Sequence, residues 1–210
     1  MDGSPLTFSF DAGLDNALTK GWEGWIEVAR KKGVERTTEW LARRDETGLD
    51  PGELEPLIEA VLESESPFDR AMAASELAEY IEVDDDAMAA TLWEGVLRSG
   101  REANDSEVYF EGLSQLAEIE LEYGDPQAAA ALYLDFLNWT REAGHSTEAE
   151  AIFSAFDQLI QLAESDGAPA AAADYGHAQT RFFRFVDGDD GRILSEDWDP
   201  GRPPYVVWSD

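Results

Sequence analysis

Residues 147–164 read TEAEAIFSAFDQLIQLAE, and within them Ala149, Ile152, Phe153, Phe156, Leu159, Ile160 and Ala163 fall three and four positions apart. An α-helix turns once in about 3.6 residues, so side chains at that spacing line up on one face and bury it against neighbouring structure. A half-buried strand would alternate at every second residue, which this segment does not do. The spacing predicts a helix with one apolar stripe, and a fold of helices packed on helices.

The same periodicity runs outward almost from end to end. Asp50-Pro51, Ser66-Pro67 and Asp125-Pro126 each place a capping side chain before a proline at the first helical position, where the missing N–H costs nothing. Behind the first of these, Leu54, Leu57, Ile58, Val61 and Leu62 make a helical set, with Asp50 and Glu53 in capping-box positions. Further segments are predicted to start near 67, 85, 106, 126, 147 and 169, the last four intervals being 21, 20, 21 and 22 residues. Even spacing of this kind predicts helical hairpins stacked at a period of about 40 residues, an α-solenoid.

Towards the N-terminus, Leu14, Leu18, Trp22, Trp25, Ile26 and Ala29 predict one helix over about Ala12 to Lys32, weakened by Gly21 and Gly24. A short second helix over 35–45 carries Trp40 and Leu41. At the other end a helix carries Tyr175, Gln179, Phe182, Phe183 and Val186, and the pattern stops at Asp187. The expected fold is therefore all-α, stacked helical hairpins with short non-helical N- and C-terminal segments. Its expected parts are an N-terminal helical segment over 1–48, a hairpin-repeat body over 49–186 and a Pro-, Gly- and Asp-rich tail over 187–210.

The stretch Leu113 to Leu137 resembles a tetratricopeptide-type repeat. Aligned on the Gly124-Asp125 turn, Leu113 stands at the bulky first-helix position, Leu116 at the next core position and Ala117 at the small crossing position. Ala129 and Tyr133 stand at the small and aromatic positions of the second helix. Glu120, Phe136 and Arg141 depart from the pattern. The register recurs 43 residues later in Phe156, Leu159, Ile160, Gly167 and Ala172, with Gly176 in place of the aromatic. The resemblance spans roughly residues 67–186 and implies an interaction scaffold with a concave face.

Composition narrows the function. The 210 residues are 43% hydrophobic and include seven Trp, too apolar for a disordered chain despite a net charge of −31. That charge is uneven: residues 1–19 carry −3, 20–44 carry +3, 45–166 carry −27 and 167–210 carry −4. An acidic body repels phosphate backbones and anionic bilayers, which argues against direct binding to nucleic acid or membrane. Twelve Arg against three Lys, with abundant Ala, Asp and Glu, is the composition of proteins adapted to high internal salt. Cysteine is absent, which excludes disulfides and thiolate chemistry. Neither a basic leader nor a run of about 18 apolar residues occurs, so the expected location is cytoplasmic.

Catalytic patterns are missing as well. No phosphate-binding glycine loop, nucleophile elbow or metalloprotease histidine pair occurs. His145 and His177 are the only imidazoles, and Glu142 with His145 makes a single Glu-x-x-His where a di-iron bundle needs two and further glutamates. Asp84, Asp85 and Asp86 read as helix-capping carboxylates. Asp187-Gly-Asp-Asp-Gly departs from a calcium loop, with Arg192 in place of the turn glycine and Trp198 in place of the bidentate glutamate. No cofactor or metal is expected.

Two readings fit the basic island Lys20 to Arg44 with Trp22, Trp25 and Trp40. In the first the Trp residues are core and the cations, Arg30 among them, neutralise acids of the same chain, which helical spacing favours. In the second Lys31, Lys32, Arg36, Arg43 and Arg44, with Tyr205 and Trp208 of the tail, dock a partner. The expected function is that of a non-catalytic helical-repeat protein mediating protein–protein interaction. The alternative is an acidic nucleic-acid-mimicking decoy, an immunity or inhibitor protein that occupies the basic groove of a nucleic-acid-binding protein. An acidic-pocket enzyme is a third possibility.

Overall fold

The computed structural model describes residues 11–44, 50–81, 86–143 and 149–182. These form ten helices: α1 Ala12–Leu18, α2 Gly21–Lys32, α3 Val34–Arg44, α4 Pro51–Glu63, α5 Pro67–Ile81, α6 Asp86–Ala103, α7 Ser106–Glu122, α8 Pro126–Ala143, α9 Ala149–Ser165 and α10 Pro169–Phe182. No strand occurs among the described residues, so the chain is all-α as its periodicity predicts. The chain divides into two compact units, Met1–Gly95 and Val96–Asp210.

In the first unit, helices adjacent in sequence pack on one another from α1 through α5, and α2 also touches α4. Its core is built from Leu14, Trp22, Trp25, Trp40, Leu41, Leu54, Ile58 and Leu77, all buried. One expectation is corrected here. The single helix predicted over 12–32 is two helices, because Gly21 takes φ +67, a left-handed backbone that ends one helix and starts the next. The stripe survives the break: Leu14 and Ala17 of α1 and Trp22, Trp25, Ile26 and Ala29 of α2 are all buried. At α4 the Asp50 carboxylate accepts from the Gly52 N–H at 2.9 Å, one residue earlier than a capping box would place it.

In the second unit, α7 packs on α8, α8 on α9 and α9 on α10, with α7 also touching α9. Its core is aromatic and small at once. The Tyr109 ring meets Phe136 and Trp139 edge to face at 5.4 and 4.9 Å, Phe110 meets Phe136 at 5.2 Å, and Phe153 meets Phe182 at 5.0 Å. Ala117, Ala129, Ala130, Ala155 and Ala163 belong to the same buried cluster as these rings.

The three described turns of this unit share one construction. At the end of α7 the N–H of Asp125 donates to the Glu120 carbonyl at 2.9 Å and that of Gly124 to the Leu121 carbonyl at 3.0 Å, with Gly124 at φ +79. This is the Schellman pairing, which satisfies the last carbonyls of a helix. It recurs at the end of α6, where Asn104 has φ +56, and at the end of α9, where Gly167 has φ +73. The very next residue opens the following helix. The Asp105 side chain accepts from Glu107 and Val108, and that of Asp125 from Ala128. The helix starts predicted near 67, 85, 106, 126, 147 and 169 lie within two residues of those observed.

Candidate functional site

Where α1 meets α2 and α3, the basic island meets its charge partners. Asp11 caps α1 by accepting from the Gly13 N–H at 3.1 Å, and it also takes Lys32 Nζ at 3.1 Å and Arg36 Nε at 3.4 Å. Its side chain is only 3% exposed. Burial pushes the carboxyl up, but the hydrogen bond and charge of Lys32, with the Gly13 N–H and Arg36, outweigh it and hold the group below its ordinary value. One turn on, Asp15 Oδ1 accepts from the Trp40 indole at 3.0 Å and from Arg44 Nη1 at 2.8 Å, while the Arg44 guanidinium lies 5.4 Å from the Trp40 ring centre.

The geometry follows from spacing. Asp11 and Asp15 are four residues apart on α1, and Lys32, Arg36, Trp40 and Arg44 follow one another at intervals of four. Of the other cations, Arg30 Nε donates to the Leu62 carbonyl at 2.9 Å, joining α2 to the last turn of α4. Lys31 pairs with Glu27 on its own helix, and Arg43 lies exposed in the last turn of α3. Trp22, Trp25 and Trp40 are buried. Tyr205, Trp208 and the Asp187 loop lie outside the described residues, as do His145, Asp84 and Asp85. His177 is exposed on α10.

A different surface stands out on α5. This helix buries Ala71, Ala74, Ser75, Leu77, Ala78 and Ile81 and leaves Phe68, Met72 and Tyr80 outward. Phe68, Met72 and Tyr80 are 46%, 47% and 47% exposed, and they share a face with exposed Asp69, Glu76 and Glu79. Three apolar side chains exposed along one helix make a row, whereas single exposed apolar residues are ordinary on any protein surface. In the second unit Leu121 and Tyr123 are exposed beside the Gly124 turn and form no row.

Sequence reading did not single out this row, because Phe and Met within a helical pattern suggest core. The signal was present. Ala71, Ala74, Leu77, Ala78 and Ile81 already complete an inward stripe at three- and four-residue spacing, which leaves Phe68 and Met72 off it.

Among the described residues no group of three His, Asp or Glu side chains converges as metal ligands. Within the second unit Tyr109 donates its hydroxyl to Asp135 Oδ2 at 2.7 Å, and Arg101 donates to the same oxygen at 3.1 Å. Burial, with the Asp135 bond and charge, pushes the Tyr109 phenol well above its ordinary value, so it serves as a donor joining α7 to α8. No described helix is long and apolar enough to cross a membrane. No family model matches the chain, and no curated protein or solved structure matches it either.

Proposed function

We propose that the chain is a non-catalytic, tetratricopeptide-like helical-repeat protein of the cytoplasm that mediates protein–protein interaction, and that the outward face of α5 is its docking surface. The observation that carries this is the row Phe68, Met72 and Tyr80, each nearly half exposed on a helix that buries alanines. The repeat reading is supported by the packing around the Gly124 turn, where Leu113, Ala117, Ala129 and Tyr133 are all buried. The basic island supports a docking role less well, since Lys32, Arg36 and Arg44 are engaged by Asp11 and Asp15. The decoy reading is the alternative: exposed carboxylates occur on each helix from α4 to α10, and that reading needs them gathered on one face. We assign the general acidity to adaptation to high salt, which predicts a steep gain of helix content between low and molar salt.

The test is retention of partners from native lysate at physiological salt on the immobilised chain and on a Phe68→Ser/Met72→Ser form. A stoichiometric protein held by the first and lost from the second supports the reading. Equal retention by both, or no stoichiometric protein on either, removes it.

A further inference from the structure

We propose that the α5 face receives a basic amphipathic helix of another protein, an inference that rests on the docking role given to that face above. Phe68, Met72 and Tyr80 occupy positions i, i+4 and i+12 of one row, and the position between Met72 and Tyr80 is Glu76. Asp69 and Glu79 lie exposed beside it. Any partner that covers Met72 and Tyr80 therefore covers the Glu76 carboxylate too. A charge taken out of water without a counter-charge is strongly unfavourable, so the partner brings Lys or Arg to that point and apolar side chains to either side of it.

The length of the row sets the partner's shape. At 1.5 Å per residue it runs about 18 Å, which a helix of three to four turns follows when it crosses at the shallow angle of about 20°. Its apolar residues then recur at three- and four-residue spacing, as in helix-in-groove recognition.

A second copy of this chain does not fit. Two α5 helices paired about a two-fold axis through the row would set Phe68 against Tyr80 and Met72 against Glu76, which buries two carboxylates against thioethers. Nucleic acid and anionic lipid are repelled by the same three acids.

The full-length chain is titrated with three fluorescent peptides of roughly 14 residues. One is an amphipathic Leu/Lys helix, the second is its scrambled isomer, and the third is an amphipathic Leu/Glu helix. The expected result is binding of the Leu/Lys helix at least about tenfold tighter than of its scrambled isomer, the size of effect that one hot-spot contact supplies. Phe68→Ser/Met72→Ser removes that advantage, Glu76→Gln weakens the binding several-fold, and Leu121→Ser/Tyr123→Ser leaves it unchanged. If the double variant loses helix content, Tyr80→Ser makes the same comparison at a single exposed position.

Equal binding of the scrambled isomer, or indifference to Glu76→Gln, overturns the inference. Leu/Glu and Leu/Lys helices bound alike, both lost in Phe68→Ser/Met72→Ser, would overturn the charge assignment and leave the docking role standing. Indifference of all binding to the Phe68 and Met72 changes would remove both.

Discussion

In α1–α3 carboxylates tie the short first helix to its neighbours, Asp11 taking Lys32 and Arg36 and Asp15 taking Trp40 and Arg44, whereas α7–α10 rest on a larger core of rings and alanines, to which Asp135 adds its bond from Tyr109. α1 is seven residues long and too short to hold itself as a helix, and it offers only Leu14 and Ala17 to the core. Charge supplies what its buried area cannot. α9, at 17 residues, buries eight side chains and has no such need. The difference teaches that one all-helical chain can respond to salt, acid and alkali in different ways along its length.

The largest break is expected in the aromatic core. Phe156→Ala empties a fully buried position between α9 and α10 and is expected to cost about 4 kcal/mol, measured as a fall in the urea midpoint. That cost should be the same at low and at molar salt, because dispersion and apolar burial are not screened. Alkali attacks the same unit. Burial and the neighbouring Asp174 charge push the Tyr175 phenol up to about 12, and burial raises Tyr109 and Tyr133 as well. A raised phenol stabilises the fold below the unfolded value of about 10 and loses that contribution as pH climbs through the folded value. Alkaline unfolding followed by phenolate absorbance should therefore start above pH about 10, and Tyr175→Phe should make that limb shallower.

Close approach is the next device to test. A Cβ on Gly100 would stand 2.5 Å from the Tyr109 amide nitrogen and 2.8 Å from its Cα, and backbone cannot swing aside as a flexible side chain can. Gly100→Ala is expected to cost about 3 kcal/mol by forcing α6 and α7 apart. A loss below about 1 kcal/mol would mean that the helices slide to accommodate it.

How much of this was legible follows from which physics wrote it. Helix starts were legible because caps and prolines act locally: Asp50, Ser66 and Asp125 all accept N–H bonds from the first turn that follows them. The break at Gly21 was not. A left-handed residue alters direction without disturbing the apolar spacing, so Leu14 to Ala29 reads as one stripe across two helices. The Asp11 and Asp15 ladder was half legible, since its four-residue intervals are in the sequence but the close approach of α1 to α3 is a tertiary fact. The outward row of α5 was hidden by its composition, because a helix with apolar residues on both faces does not announce which face is buried.

The turns offer a smaller effect. Gly124→Ala keeps the hydrogen bonds of the Schellman turn but places a Cβ at φ +79, and should cost about 1 kcal/mol at any salt concentration.

A change of similar size, which fades with salt, separates the two regions most sharply. Asn caps a helix about as well as Asp, so Asp11→Asn removes charge from the α1 junction and leaves the cap. Lys32 and Arg36 are 39% and 43% exposed and rehydrate when freed, so the expected loss is about 1 kcal/mol at low salt. It should shrink towards molar salt, where screening acts over about 3 Å, while the costs at Phe156 and Gly124 stay fixed. The acid limb carries the same signature. A carboxyl held below its ordinary value of 3.8 stabilises the fold above that pH and loses the contribution as pH falls through its lowered value. The native chain should therefore weaken on acidification more steeply than Asp11→Asn does. If the two limbs run parallel, Asp11 holds α1 by capping and packing, and the contrast between the regions reduces to one of side-chain size.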